Sequence, residues 1–117
     1  MSPEASRHVV VYVTCGSQQE ASRIAHDLVE QRLIACANVV PGITSVYRWE
    51  GTVHTDPEVL LIAKTRRDLF EAITRRVRDL HSYDLPEIIA LPLEAGLPGY
   101  LQWIDDACRR PESPSSP

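Results

Sequence analysis

Apolar residues along this chain follow two alternating periods. HVVVYVT (8–14) is a near-continuous β-branched run, the pattern of a strand covered on both faces. The period then lengthens: Ala21, Ile24, Ala25, Leu28 and Val29 recur at i, i+3, i+4, i+7 and i+8, predicting an amphipathic helix over 17–33. Ser17 with Glu20 three positions on supplies a capping box at its start. IACANVV (34–40) returns to a strand pattern, which the Pro41-Gly42 turn signal halts. ITSVYRWEG runs through EGTVHTD into PEVLLIAKT and reads as a long hairpin over 43–65. Thr65 and Asp68 repeat a capping signature, and Leu69, Phe70, Ile73, Val77 and Leu80 form the stripe of a second helix over 66–81. Its other face, with Arg66, Arg67, Arg75, Arg76 and Arg78, reads as solvated surface. EIIALPL (87–93) is a short apolar strand, and Leu97, Tyr100, Leu101, Ile104 and Cys108 place a terminal helix around 98–108.

The order is β-α-β-β-α-β plus a C-terminal helix. That is the α+β, ferredoxin-like plan, an antiparallel sheet with two helices on one face. Residues 8–108 form the single domain, and the aperiodic segments 1–7 and 109–117 (RRPESPSSP) are expected to be disordered tails. Two helices cover one face of the sheet only, yet the strands are apolar on both sides. Self-association is the simplest cover for the other face.

Composition narrows the function classes. A net charge of −4 gives no reason to expect a phosphate backbone as partner. No apolar run approaches the ~20 residues that span a bilayer, and MSPEASRH lacks a basic-then-apolar leader, so the expected location is the cytoplasm. Cys15, Cys36 and Cys108 are odd in number and widely spaced, which fits neither a disulfide framework nor a zinc knuckle.

The densest chemistry lies in HSYDLPE (81–87), between the second helix and the last strand. His81 and Glu87 offer an imidazole and a carboxylate, donors that suit copper, zinc or nickel; a third ligand would come from Cys15, Asp84 or another subunit. The same residues also read as structural, with His81 closing the helix where a cation favours the C-terminal dipole. Cys15, two residues before the Ser17 cap, is either a thiolate favoured by the helix N-terminus or a small buried filler. His26 and His54 have no companion at ligand spacing and read as solvated. Tyr47 and Trp49 share a strand face and suit anchors between subunits, and Lys64 could reach Glu87 or Asp84.

RLIACANVVPGITSVYRWEG, Lys64-Thr65, HSYDLPEIIALPL and YLQWI, in this order and spacing, resemble the CutA1 divalent-cation tolerance family over roughly residues 8–108. The resemblance implies a non-enzymatic homotrimer architecturally similar to PII signalling proteins, requiring no cofactor and associated with tolerance of divalent metal, copper in particular. It places His81, Glu87 and Cys15 where copper ligands are implicated in some members. The family pattern is His-Pro-Tyr-x-x-Pro-Glu, from which Ser82 departs.

Other classes fare worse. An acylphosphatase needs an arginine in the phosphate loop, and TCGSQQE has none. An RNA-recognition sheet needs aromatics on its central strands, where only Tyr12 stands. A PII-like trimeric sensor of an unknown small molecule is the alternative to metal tolerance, although no phosphate-binding glycine loop is present.

Overall fold

A computed structural model describes residues 7–111 of the chain. Strand β1 (His8–Cys15) is followed by helix α1 (Gln18–Glu30), strands β2 (Cys36–Trp49) and β3 (Thr52–Arg66), helix α2 (Phe70–Leu80), strand β4 (Ile88–Pro92) and helix α3 (Pro98–Ala107). The strands form one antiparallel sheet in the order β2-β3-β1-β4. This is the expected ferredoxin-like α+β fold.

Strand alternation sorts the sheet into two faces. Val9, Val11, Val13 and Cys15 of β1, with Val59, Leu61 and Ala63 of β3, are buried in one core with Ile24 and Leu28 of α1 and Ile73 and Val77 of α2. On the opposite face, Tyr12 lies between its β3 partner Ile62 and its β4 partner Ile89, and Val10 pairs with Leu91. Among the described residues no helix covers β4 on that side: Ile89 and Leu91 are 48% and 40% exposed.

Several local expectations are revised. Pro41-Gly42 does not end a strand. β2 runs through it, and the register slips between Val40 and Ile43, so three steps of β2 oppose two of β3. Gly42 takes φ +82, a left-handed geometry suited to a bulge. One extra residue reverses the alternation beyond it, and Ser45, Tyr47 and Trp49 follow Asn38 and Val40 onto the open face. The hairpin closes at Glu50-Gly51, both left-handed (φ 50 and 81), as a two-residue turn of matching twist requires.

Thr65 does not cap the second helix. It is fully buried, its hydroxyl donates to the Leu33 carbonyl at 2.7 Å, and a 3-10 turn (Arg67–Leu69) precedes α2. Val29, placed in the α1 stripe by spacing, is 42% exposed, because the stripe narrows toward the end of the helix. The Asp27 carboxylate ties α1 to α2 by a two-pronged bond with Arg76 at 2.6 and 2.7 Å.

Residues 1–6 and 112–117 of the expected tails lie outside the described residues. Arg7 accepts from the Arg67 amide and the Arg109 amide donates to the Arg32 carbonyl, both at 2.7 Å. Among the described residues no helix is long and apolar enough to cross a membrane.

Candidate functional site

HSYDLPE is fastened to four elements, α2, β1, α1 and β3. His81 closes α2, its amide donating to the Val77 carbonyl at 2.8 Å. Its ring is buried and both nitrogens are engaged: Nε2 faces the Thr14 carbonyl of β1 at 2.7 Å, and Nδ1 faces the Tyr83 amide at 3.0 Å. A carbonyl demands a donor and an amide demands an acceptor, so the proton sits on Nε2.

Glu20 plays a larger part than its place in α1 suggests. The Ser17 hydroxyl accepts from the Glu20 amide at 3.1 Å, completing the expected cap. The Glu20 carboxylate then accepts from the Gly16 amide at 3.2 Å and, 62 residues along the chain, from the Ser82 amide at 2.8 Å. It lies 3.9 Å from His81 Nδ1. Burial alone would push this carboxyl up, but the Ser82 and Gly16 bonds and the nearby imidazole prevail and hold it below the usual carboxylate range.

Cys15 ends β1 with no exposed surface. Burial, then the charges of Glu20 and Glu58, push its thiol up to about 12 against a smaller opposing effect of Arg23. The nearby helix start does not offset these effects, so Cys15 is held as the neutral thiol in the unliganded chain. Treatment of native protein with iodoacetamide at pH 8 is expected to leave Cys15 and the buried Cys108 unmodified until denaturant is added. Fast native labelling of Cys15 would contradict this environment; peptide mass mapping reads the result.

Cys15, Glu20 and His81 present one ligand atom each within 4.8 Å of one another, all from buried residues. Their types suit a cation of intermediate softness, although every donor is already protonated or hydrogen-bonded. The structure thus brings two of the three sequence-derived candidates together. Glu87 stands apart from this cluster, exposed and lining a groove.

That groove has a volume of about 620 Å³ and is walled by Thr14, Tyr47, Trp49, Glu58 and the loop residues Tyr83 to Leu85 and Glu87, among others. Tyr83 separates it from the buried cluster. Its ring tilts against His81 at 4.7 Å, packs on Gly16, and its hydroxyl donates to Glu58 at 2.7 Å. A side chain at position 16 would meet that hydroxyl at 3.1 Å, so glycine there permits the packing. Burial, the Glu58 bond and the charges of Glu58 and Glu20 all push the Tyr83 phenol up.

Of the remaining candidates, Asp84 lines the groove, while Lys64 meets Asn38 instead of the acidic loop. His54 lies in β3 beyond the turn and stacks on Tyr47 at 5.4 Å, a ring contact and not a ligand partner. His26 bonds the Ser22 carbonyl of its own helix. Glu20 and Glu58 were missed. The capping box had already explained Glu20, and nothing in the local sequence distinguishes Glu58.

Fold and site together define a small ferredoxin-like α+β protein with a buried thiol–carboxylate–imidazole cluster behind an acidic, aromatic groove. The family model described as CutA1 divalent ion tolerance protein matches residues 9–107, and the chain belongs to that family. It is 48% identical over 101 residues to the chloroplastic CutA 1 of Oryza sativa, covering 86% of this chain and 57% of that protein. It is 50% identical over 95 residues to the divalent-cation tolerance protein CutA of Thermus thermophilus, covering 81% and 92%. The Oryza sativa CutA1 crystal structure superposes with a TM-score of 0.86 at 48% identity, covering 88% of this chain and 94% of that one. The chain spans little more than half the length of the rice and Arabidopsis proteins it matches. A relative from Archaeoglobus fulgidus is described as periplasmic, so named locations differ within the family.

Proposed function

We propose that this chain acts as a non-enzymatic homotrimer of the divalent-cation tolerance type, working in the cytoplasm and binding copper. The observation that carries the reading is the open sheet face. Val10, Tyr12, Leu60, Ile62, Ile89 and Leu91 form an apolar surface with no covering element among the described residues, and further copies of the chain are its simplest cover. Its resemblance to the family supports three copies. Three free cysteines agree with a reducing compartment.

For copper, Cys15 and His81 supply a thiol and an imidazole, and Glu20 is the carboxylate within reach of both. Glu87 is the alternative third ligand. Binding requires loss of a proton from a thiol raised to about 12 and release of the Tyr83 amide from His81, so affinity should weaken as pH falls.

Light scattering of the full chain should return three times the 13.1 kDa chain mass; a monomer would sink the assembly reading. Calorimetric titration with copper(II) should show more than about a tenfold affinity loss in Cys15→Ser and in His81→Ala. Glu20→Gln and Glu87→Gln, titrated alongside, identify the carboxylate. If neither Cys15→Ser nor His81→Ala changes affinity, copper is not held at this cluster, and the assembly reading is untouched.

A further inference from the structure

Helix α3 is closed at its end by side chains from elsewhere in the chain. The last four carbonyls of an α-helix have no partner within it, and α3 carries no basic residue in its own last turn. The Ile104 carbonyl accepts from the Cys108 amide at 3.1 Å. The other three are taken by two guanidinium groups. Arg32 donates to the Asp106 carbonyl at 2.7 Å and to that of Ala107 at 3.1 Å, and Arg66 donates to that of Asp105 at 3.2 Å. Arg66 also holds the Arg109 carbonyl at 2.6 Å, and the Arg109 amide donates to the Arg32 carbonyl at 2.7 Å. The Asp105 side chain adds a contact with His8 at 3.0 Å.

Arg32 stands where the end of α1 would favour glycine. It follows the Gln31 cap and takes φ 59, a left-handed geometry in which a Cβ is strained. Its amide and that of Leu33 close α1 on the Val29 and Leu28 carbonyls, bonds that glycine in its place would leave intact. What glycine would lack is the guanidinium. Arg66 is fixed as firmly: its side chain is buried and its Nε donates to Asp68 at 3.1 Å. Two cations at a helix C-terminus also oppose the negative end of its dipole.

The apolar anchorage of α3 is thin by comparison. Ile104 is its one buried side chain, with Cys108 buried just past its end and Leu101 and Ala107 partly so. An element that buries little and is fastened by polar bonds at one end opens at lower free energy than the core.

We propose that α3 is a strap over the Thr65–Cys108 end of the core, opening as one unit while the sheet and the first two helices stay folded, with Arg32 and Arg66 as its latch. Closed, it holds the Cys108 thiol against the Thr65 hydroxyl at 3.8 Å; open, it presents that thiol to solvent. These contacts are all made within one chain and apart from the thiol–carboxylate–imidazole cluster, so the latch rests on neither the copper reading nor the number of copies.

Thiol labelling of the full chain in its native assembly, with iodoacetamide at pH 8 and timed peptide mass mapping, reads the two states. Cys108 reports on the strap, and Cys15, in β1, reports on the core. Arg32→Gly should speed labelling of Cys108 at least about tenfold, the order expected for losing charge-assisted bonds. Cys15 should keep its wild-type rate. Because the glycine relieves backbone strain, a role confined to the end of α1 predicts the opposite, unchanged or slower labelling of Cys108. Ile104→Ala, which loosens the apolar anchor and leaves both arginines in place, should show the same selectivity. Equal acceleration of the two thiols in either variant, or none at Cys108 in Arg32→Gly, overturns the proposal.

Discussion

Ile62→Asp is expected to reduce the mass by light scattering from that of the proposed three-chain assembly to 13.1 kDa, with the fold of each chain retained. Ile62 sits mid-sheet on the uncovered face, paired with Tyr12 on one side and Asn38 on the other. It lies outside the buried core, whose β3 contribution comes from its neighbours Leu61 and Ala63. A carboxylate there meets water in an isolated chain, but in an assembled sheet interface it is buried without a partner. That costs several kcal/mol per copy, and symmetry repeats the cost in every copy. Arg78→Asp, on the exposed face of α2, is the matched control and should leave the mass unchanged. Retention of the full mass by Ile62→Asp would mean that the open face is not where the copies meet.

The same face shows how far a linear reading reaches. Period-2 and period-3.6 patterns located the strands and α-helices, although they cut β2 in two at Pro41-Gly42, because burial of one side is written directly into residue spacing. Ala21, Ile24, Ala25 and Leu28 were placed in the core by spacing and are buried there. The unpartnered face could also be anticipated, since β4 carries Ile89 and Leu91 on a side that two helices cannot reach.

What failed were local signals that the sheet reinterpreted. Pro41-Gly42 has the composition of a turn, and the ladder with β3 resumes past it, turning a stop into a bulge. Thr65 has the composition of a cap, but a buried hydroxyl goes to the nearest unsatisfied carbonyl, that of Leu33. The site was legible only as its parts. HSYDLPE stood out by composition, but the partner that organises it, Glu20, lies 62 residues away in sequence from Ser82, a separation that neither periodicity nor motif spacing encodes. The groove is assembled from β1, β2, β3 and the loop before β4, so only folding reveals that its carboxylates and rings share one space.

Glu20→Ala is expected to lower stability by about 2–4 kcal/mol, because two partly buried amides, Gly16 and Ser82, lose a charged acceptor at once. The sign of the pH dependence follows from the folded carboxyl being held below its ordinary value. Such a group contributes stability that is present above the unfolded pKa of about 4.3 and is lost as pH falls through the folded value. Urea midpoints measured from pH 7 to 3 should therefore fall more steeply with acid in the wild type than in Glu20→Gln. Ser82→Pro separates this bond from the rest of the network. The family pattern resembled by this segment carries proline there, and proline has no amide to donate. His81 has an extended backbone (ψ 144), which a following proline accepts. Ser82→Pro should thus fold and lose part of the acid-dependent slope. It should cost less than Glu20→Ala, since it removes donor and bond together and leaves no amide unsatisfied. Equal losses in the two variants, or an acid slope unchanged in Glu20→Gln, would show that the Glu20 carboxylate is not what fastens the loop to the start of α1.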